Sequence, residues 1–102
     1  MTERESFFIP GATRTRMLPS GTRVGNLLFS SGIDGMDPDT GELGKSLEEQ
    51  ANLCFRNLKT LVEMAGGTPE NVVRVHVLMG DPTQREAVNK PWLEMFPDEN
   101  SR

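Results

Sequence analysis

The segment opening at Ser46-Leu47-Glu48-Glu49 constrains this chain more than any other, because it runs to Ala65 without a glycine or proline. Ser46 can accept from the amide of residue 49 while the Glu49 carboxylate reaches back, which is a capping box. Leu47, Ala51, Cys54, Phe55, Leu58, Leu61, Val62 and Ala65 then recur at spacings of three and four, one apolar face of a helix. Gly66-Gly67 supplies the expected stop. An apolar face of this length must be covered, and a sheet is its natural partner.

Candidate strands lie on both sides. Phe7-Phe8-Ile9, stopped by Pro10-Gly11, reads as a short strand, and residues 22–31 read as a hairpin turning at Gly25-Asn26. Its second arm, through Leu27-Leu28-Phe29, is the most apolar segment of the first half and reads as a central, buried strand. After the turn at Thr68-Pro69-Glu70, residues 72–79 alternate: Val73, Val75, Val77 and Met79 share one face, with Arg74 and His76 on the other. Asp81-Pro82 starts a second helix through Ala87, Val88, Trp92, Leu93 and Phe96, with a kink or early end expected at Pro91. The order is α+β, in one domain over residues 1–102. A helix packed on a sheet ordinarily leads into a further strand, and none follows Phe96, so the closing strands are expected to be missing from this chain.

Size adds an expectation of its own. A chain of 102 residues with one cysteine, Cys54, and one histidine, His76, has neither a disulfide nor a Cys/His zinc cluster to reinforce a small core. Assembly with other copies is the remaining device. Eleven Lys+Arg against 15 Asp+Glu give a net charge of −4, which argues against nucleic-acid binding. The N-terminus lacks the apolar core of a secretory signal, and no apolar run is long enough to span a bilayer. With a lone cysteine, these features point to the cytoplasm and to no membrane partner.

Few residues carry obvious chemistry. Cys54 lies on the apolar helix face and reads as an inert small hydrophobe. His76 has no motif-spaced acid, and two-histidine cleavage of RNA is excluded within one chain. Asp37, Asp39 and Glu48 mimic part of a calcium loop. Gly41, Glu42 and Lys45 occupy positions where such a loop needs other residues, so the segment reads as a turn and no metal is expected. Ser31-Gly32 ends the apolar strand, where a small hydroxyl and a glycine let a ligand approach the backbone; a bulge or strand exit explains the pair equally well. Asn89, near Pro91, reads as a surface residue or as a cap for a neighbouring chain.

Taken in order, residues 24–32, 37–43, 49–51, 57–59, 65–67 and 72–75, then Ala87-Val88-Asn89 and Phe96, resemble the RidA/YjgF family of reactive-intermediate deaminases, long labelled L-PSP endoribonuclease-like. The resemblance runs from about Gly21 to the end of the chain. It implies a chorismate-mutase-like subunit, two helices on one face of a mixed sheet. It further implies a homotrimer with clefts between neighbouring subunits and no cofactor. The implied activity is hydrolysis of small enamines and imines to 2-keto acids; the alternative is a non-catalytic trimer that binds a small carboxylate ligand. Ser31, Gly32 and Asn89 match the family's cleft residues. The family's tyrosine falls at Leu18 or Met17, and the chain has no tyrosine. The substrate-clamping arginine, in a Pro-x-Arg-Ser signature, and the water-holding glutamate are expected beyond Arg102, which is itself too close to Phe96 to serve as that clamp.

Overall fold

In the computed structural model, which describes residues 3–13 and 16–101, the capped helix forms where its signals place it. Met1, Thr2 and Arg102, which entered the reading of the two termini, lie outside the described residues. Helix α1 (Leu47–Met64) starts with the Glu49 amide donating to the Ser46 hydroxyl at 3.1 Å. The Glu49 carboxylate reaches one residue further back than a capping box requires, accepting from the Lys45 amide at 3.0 Å. At the other end Gly66, at φ 91°, sends its amide to Glu63 O, and the Gly67 amide reaches Val62 O. These two bonds close a Schellman stop.

Three antiparallel strands lie against α1 in the order β1 (Arg4–Phe7), β2 (Gly21–Val24) and β3 (Leu27–Ser30). The first strand precedes the expected Phe7-Phe8-Ile9 and only ends at Phe7, whose partner in the register is Gly21. The β2–β3 turn is Gly25-Asn26 as expected; Gly25 is at φ 61° and Asn26 is not positive. A positive φ at the first central position alone is the II′ pattern, which suits a tight hairpin. Gly21 is needed where β2 meets α1, because a Cβ there would lie 2.9 Å from Leu61 Cδ2.

The core has two parts, and α1 joins them. Toward its C-terminal half, the fully buried Leu61 packs with Phe7 and Ile9, flanked by Leu28, Ile33 and Ala65. Burying a leucine this completely contributes roughly 1.5–3 kcal/mol. Toward its N-terminal half, Ala51 and Phe55 meet Val88 of α2 (Glu86–Met95) and Phe96, which caps that helix. Trp92 presents edges to Phe55 and Phe96, with centroids at 6.0 and 5.4 Å.

Three expectations need correction. The strand 27–30 is neither central nor buried: it pairs with β2 alone, and Leu27 and Phe29 are 62% and 68% exposed. Only the α1 side of the sheet is covered, so only Leu28 turns inward. Residues 72–79 form no strand. Val75, Val77 and Met79 do pack on the α1–α2 cluster, but Val72 takes the inward place expected of Val73, which is 98% exposed. Among the described residues, no backbone hydrogen bond involves residues 73–80. Side-chain alternation needs only one covering face, whereas a strand needs a neighbour to bond. Finally, the turn Pro82–Gln84 is a separate 3₁₀ turn capped by Asp81, and α2 runs through Pro91 to Met95 rather than ending there.

Candidate functional site at the end of the third strand

Where β3 ends, the chain leaves the sheet through Ser31-Gly32 and borders a cavity of about 210 Å³. One wall is Ser31, Gly32, Ile33 and Asp34; the other comes from the connection between β1 and β2, through Ile9, Ala12, Thr13, Leu18 and Ser20. Ser20 organises that second wall. It is buried, and its hydroxyl accepts from the Ile9 amide at 2.9 Å. Thr13 Oγ1 lies 3.2 Å from Ser20 Oγ and donates to Ile9 O at 2.8 Å.

Ser31 ties the two walls together. Its amide donates to Ser20 O at 2.9 Å, and its hydroxyl donates to Pro19 O at 2.8 Å. With that proton committed, Ser31 Oγ still has lone pairs to offer a ligand N–H. Gly32 has no atom within 4 Å of where a Cβ would stand, so nothing within the chain forbids a side chain there. That open space would let a ligand rest against the peptide.

The cavity is polar at Ser31, Thr13 and Asp34 and apolar at Ile9, Leu18 and Ile33. Among the described residues, no lysine, arginine or histidine lines it. Asn89 is not brought to it within the chain. It sits half-buried on α2, its Oδ1 accepting from Arg85 Nε and its Nδ2 donating to Glu86 Oε1, both at 3.3 Å. His76 is exposed on the extended segment. Asp37 and Asp39 form a turn, with Asp37 Oδ1 accepting from the Asp39 amide at 2.9 Å. Cys54 lies behind the Ile33-Asp34 wall, its thiol 3.6 Å from Ile33 O. Burial first, and the nearby Asp34 charge second, push that thiol above the ordinary cysteine range, the opposite of what a nucleophile needs.

Sequence reasoning identified Ser31 and Gly32 but missed the opposite wall. Pro19-Ser20-Gly21 carries only a turn signal, and nothing in residues 9–18 has a periodicity that would mark them as lining. Of Leu18 and Met17, the two positions that could match the family tyrosine, Leu18 lines the cavity.

Residues 14–102 match the endoribonuclease L-PSP family model, and the chain belongs to that family, the RidA/YjgF group. A RutC family protein of Pyrococcus abyssi is 35% identical over 75 residues, covering 72% of this chain and 59% of the relative. Reactive Intermediate Deaminase A of Arabidopsis thaliana is 28% identical over 76 residues, covering 74% of this chain and 41% of the relative. The crystal structure of RidA from an Antarctic Psychrobacter superimposes with a TM-score of 0.77 at 30% identity, covering 85% of this chain and 70% of that one. The fold is therefore the chorismate-mutase-like α+β fold of this family. The chain spans about 60% of the length of the curated relatives it matches first.

Proposed function

We propose that copies of this chain assemble as a homotrimer around clefts built on Ser31 and Gly32. In this reading the assembly hydrolyses small carboxylated imines and enamines to 2-keto acids. Water adds to the imine carbon, the carbon–nitrogen bond breaks, and nitrogen leaves as ammonia. The observation that carries the reading is the cavity at the end of β3, with a serine acceptor and an unobstructed glycine on one wall. Its volume of about 210 Å³ is below that of a drug-sized site and suits a ligand of a few heavy atoms. Ser31 Oγ would accept from the imine or enamine N–H, and the bare backbone at Gly32 would let the reacting carbon sit close to it. An imine carbon is already electrophilic, so positioning of substrate and water carries most of the work.

The family's naming supports the chemistry, since a relative is called a reactive intermediate deaminase. The assembly is supported by Val24, Leu27 and Phe29, which leave the uncovered side of the sheet apolar and open to solvent. Asn89 would then serve a cleft from the neighbouring subunit. Among the described residues the lining holds the Asp34 carboxylate and no cation, so in this reading the carboxylate clamp is a residue outside that set. A cytoplasmic site fits the single half-buried cysteine, and among the described residues no helix is long and apolar enough to cross a membrane.

The test is release of pyruvate from 2-aminoacrylate generated in situ. The reading expects acceleration over buffer and loss of most of it in Gly32→Leu, whose side chain would fill the cleft. Rates equal to buffer would overturn it. A second reading, a trimer that binds small carboxylates without turning them over, is favoured by the apolar Leu18 where active relatives are expected to carry tyrosine. Calorimetric binding of pyruvate with no catalysis would select that reading.

A further inference from the structure

The cavity wall formed by Ile33 and Asp34 is not held by the sheet, since β3 has ended; it is held from behind by α1. Gln50, Cys54 and Asn57 lie at i, i+4 and i+7 on that helix, and all three donate to loop carbonyls. Gln50 Nε2 reaches Gly44 O at 2.9 Å, and Cys54 Sγ approaches Ile33 O at 3.6 Å. Asn57 Nδ2 uses both hydrogens, one on Met36 O at 2.8 Å and one on Asp34 O at 3.2 Å. The loop lies so close to the helix that a Cβ on Gly35 would stand 2.5 Å from Gln50 O.

Asn57 is the unusual member of this row. It is 1% exposed, in a row where leucine or alanine would satisfy the helix, and its Oδ1 has no hydrogen-bond partner among the described residues. The two carbonyls fix the orientation of the amide, because turning it over would aim oxygen at oxygen. A buried oxygen left unpaired is costly, and a site chosen for packing alone would not carry one. What the amide achieves is to pin the backbone at Asp34 and Met36, directly after Ser31-Gly32.

We infer that Asn57 is a positioning residue for the cleft: it touches no ligand, but its two donors hold the Ile33–Met36 backbone at the register that shapes the cavity wall. The inference rests on the cleft proposed above, and its test has one arm that does not. Asn57→Leu fills the site with the same number of side-chain heavy atoms but no donors; Asn57→Ala removes both filling and donors. Val88→Ala, in the α1–α2 cluster, lowers stability without touching the loop. Amide hydrogen exchange over residues 32–37 should rise about tenfold in both Asn57 variants and stay unchanged in Val88→Ala. The Kd for pyruvate, measured by calorimetry, should rise about tenfold in the same two variants only. Wild-type exchange in Asn57→Leu would show that volume suffices and overturn the inference, as would equal loosening in Val88→Ala. If the unaltered protein binds no pyruvate, the functional reading fails while the exchange comparison still decides the role of Asn57.

Discussion

Cys54 shows how a single residue's surroundings decide its chemistry. Its thiol is held above the ordinary range by burial and then by Asp34, so the folded state favours the protonated form. That preference contributes stability below the pKa of an unfolded thiol and is lost as pH rises through the higher folded value. The protein should therefore become easier to unfold on the alkaline side. Near pH 8.5, about where a free thiol is half ionised, iodoacetamide should alkylate the folded chain several-fold more slowly than the denatured chain. Equal rates would mean that Cys54 is not shielded. Asp81 moves the other way: bonds from the Thr83 hydroxyl and amide lower its carboxyl pKa, so the capped start ahead of α2 loosens as the medium becomes acid enough to protonate it. The inert character of Cys54 was legible in the sequence, because an apolar helix face is also a dry one. Asn57 was not, because a buried amide breaks the apolar rhythm and its partners are carbonyls, which no sequence pattern reveals. The Ser20–Thr13–Ile9 wall was hidden for a related reason: it is built from a loop.

Among the elements, α1 was the most legible, since cap, periodicity and stop all agree within it. Ser46→Ala should lower unfolding stability by about 1 kcal/mol, the usual loss when a serine N-cap is removed. Chemical denaturation would register this as a lower midpoint at unchanged slope; an unaltered midpoint would mean the Lys45–Glu49 bond alone secures the helix start. Strand identity was harder to read. The alternation in residues 72–79 correctly indicated that Val75, Val77 and Met79 turn inward, yet hydrogen bonding depends on what lies alongside. Of the kink or early end expected at Pro91, the early end does not occur. A proline in the interior of a helix removes one helical bond, but packing of Val88, Trp92 and Phe96 against Phe55 outweighs that loss and carries α2 onward.

For the whole molecule, the decisive asymmetry is a sheet covered on one side. Phe29 and Leu27 point away from α1, so charge placed there need not disturb the core. In the proposed trimer, Phe29→Glu should leave helix content unchanged while shifting sedimentation to monomer, with catalysis or pyruvate binding lost in parallel. A variant that remains trimeric would place the contact elsewhere. The small size and the single cysteine and histidine were readable from composition, and they led to the assembly argument; the face that offers itself was not, because Leu27-Leu28-Phe29 looks equally apolar on both sides.

The stretch 73–80 has one more consequence. Side chains alone fasten it to the helices, so its peptide groups are exposed along an extended line, much as they are on the outer edge of β3. Such lines act as templates for any strand that arrives, since main-chain pairing is indifferent to sequence. A solitary copy would carry such templates on the sheet edges as well as along this stretch, among the described residues. Concentrating it should therefore drive recruitment of further chains into fibrous or amorphous aggregates rich in intermolecular β-structure. Burying those peptide groups, rather than enlarging the core, is then the surest way to keep the protein in solution.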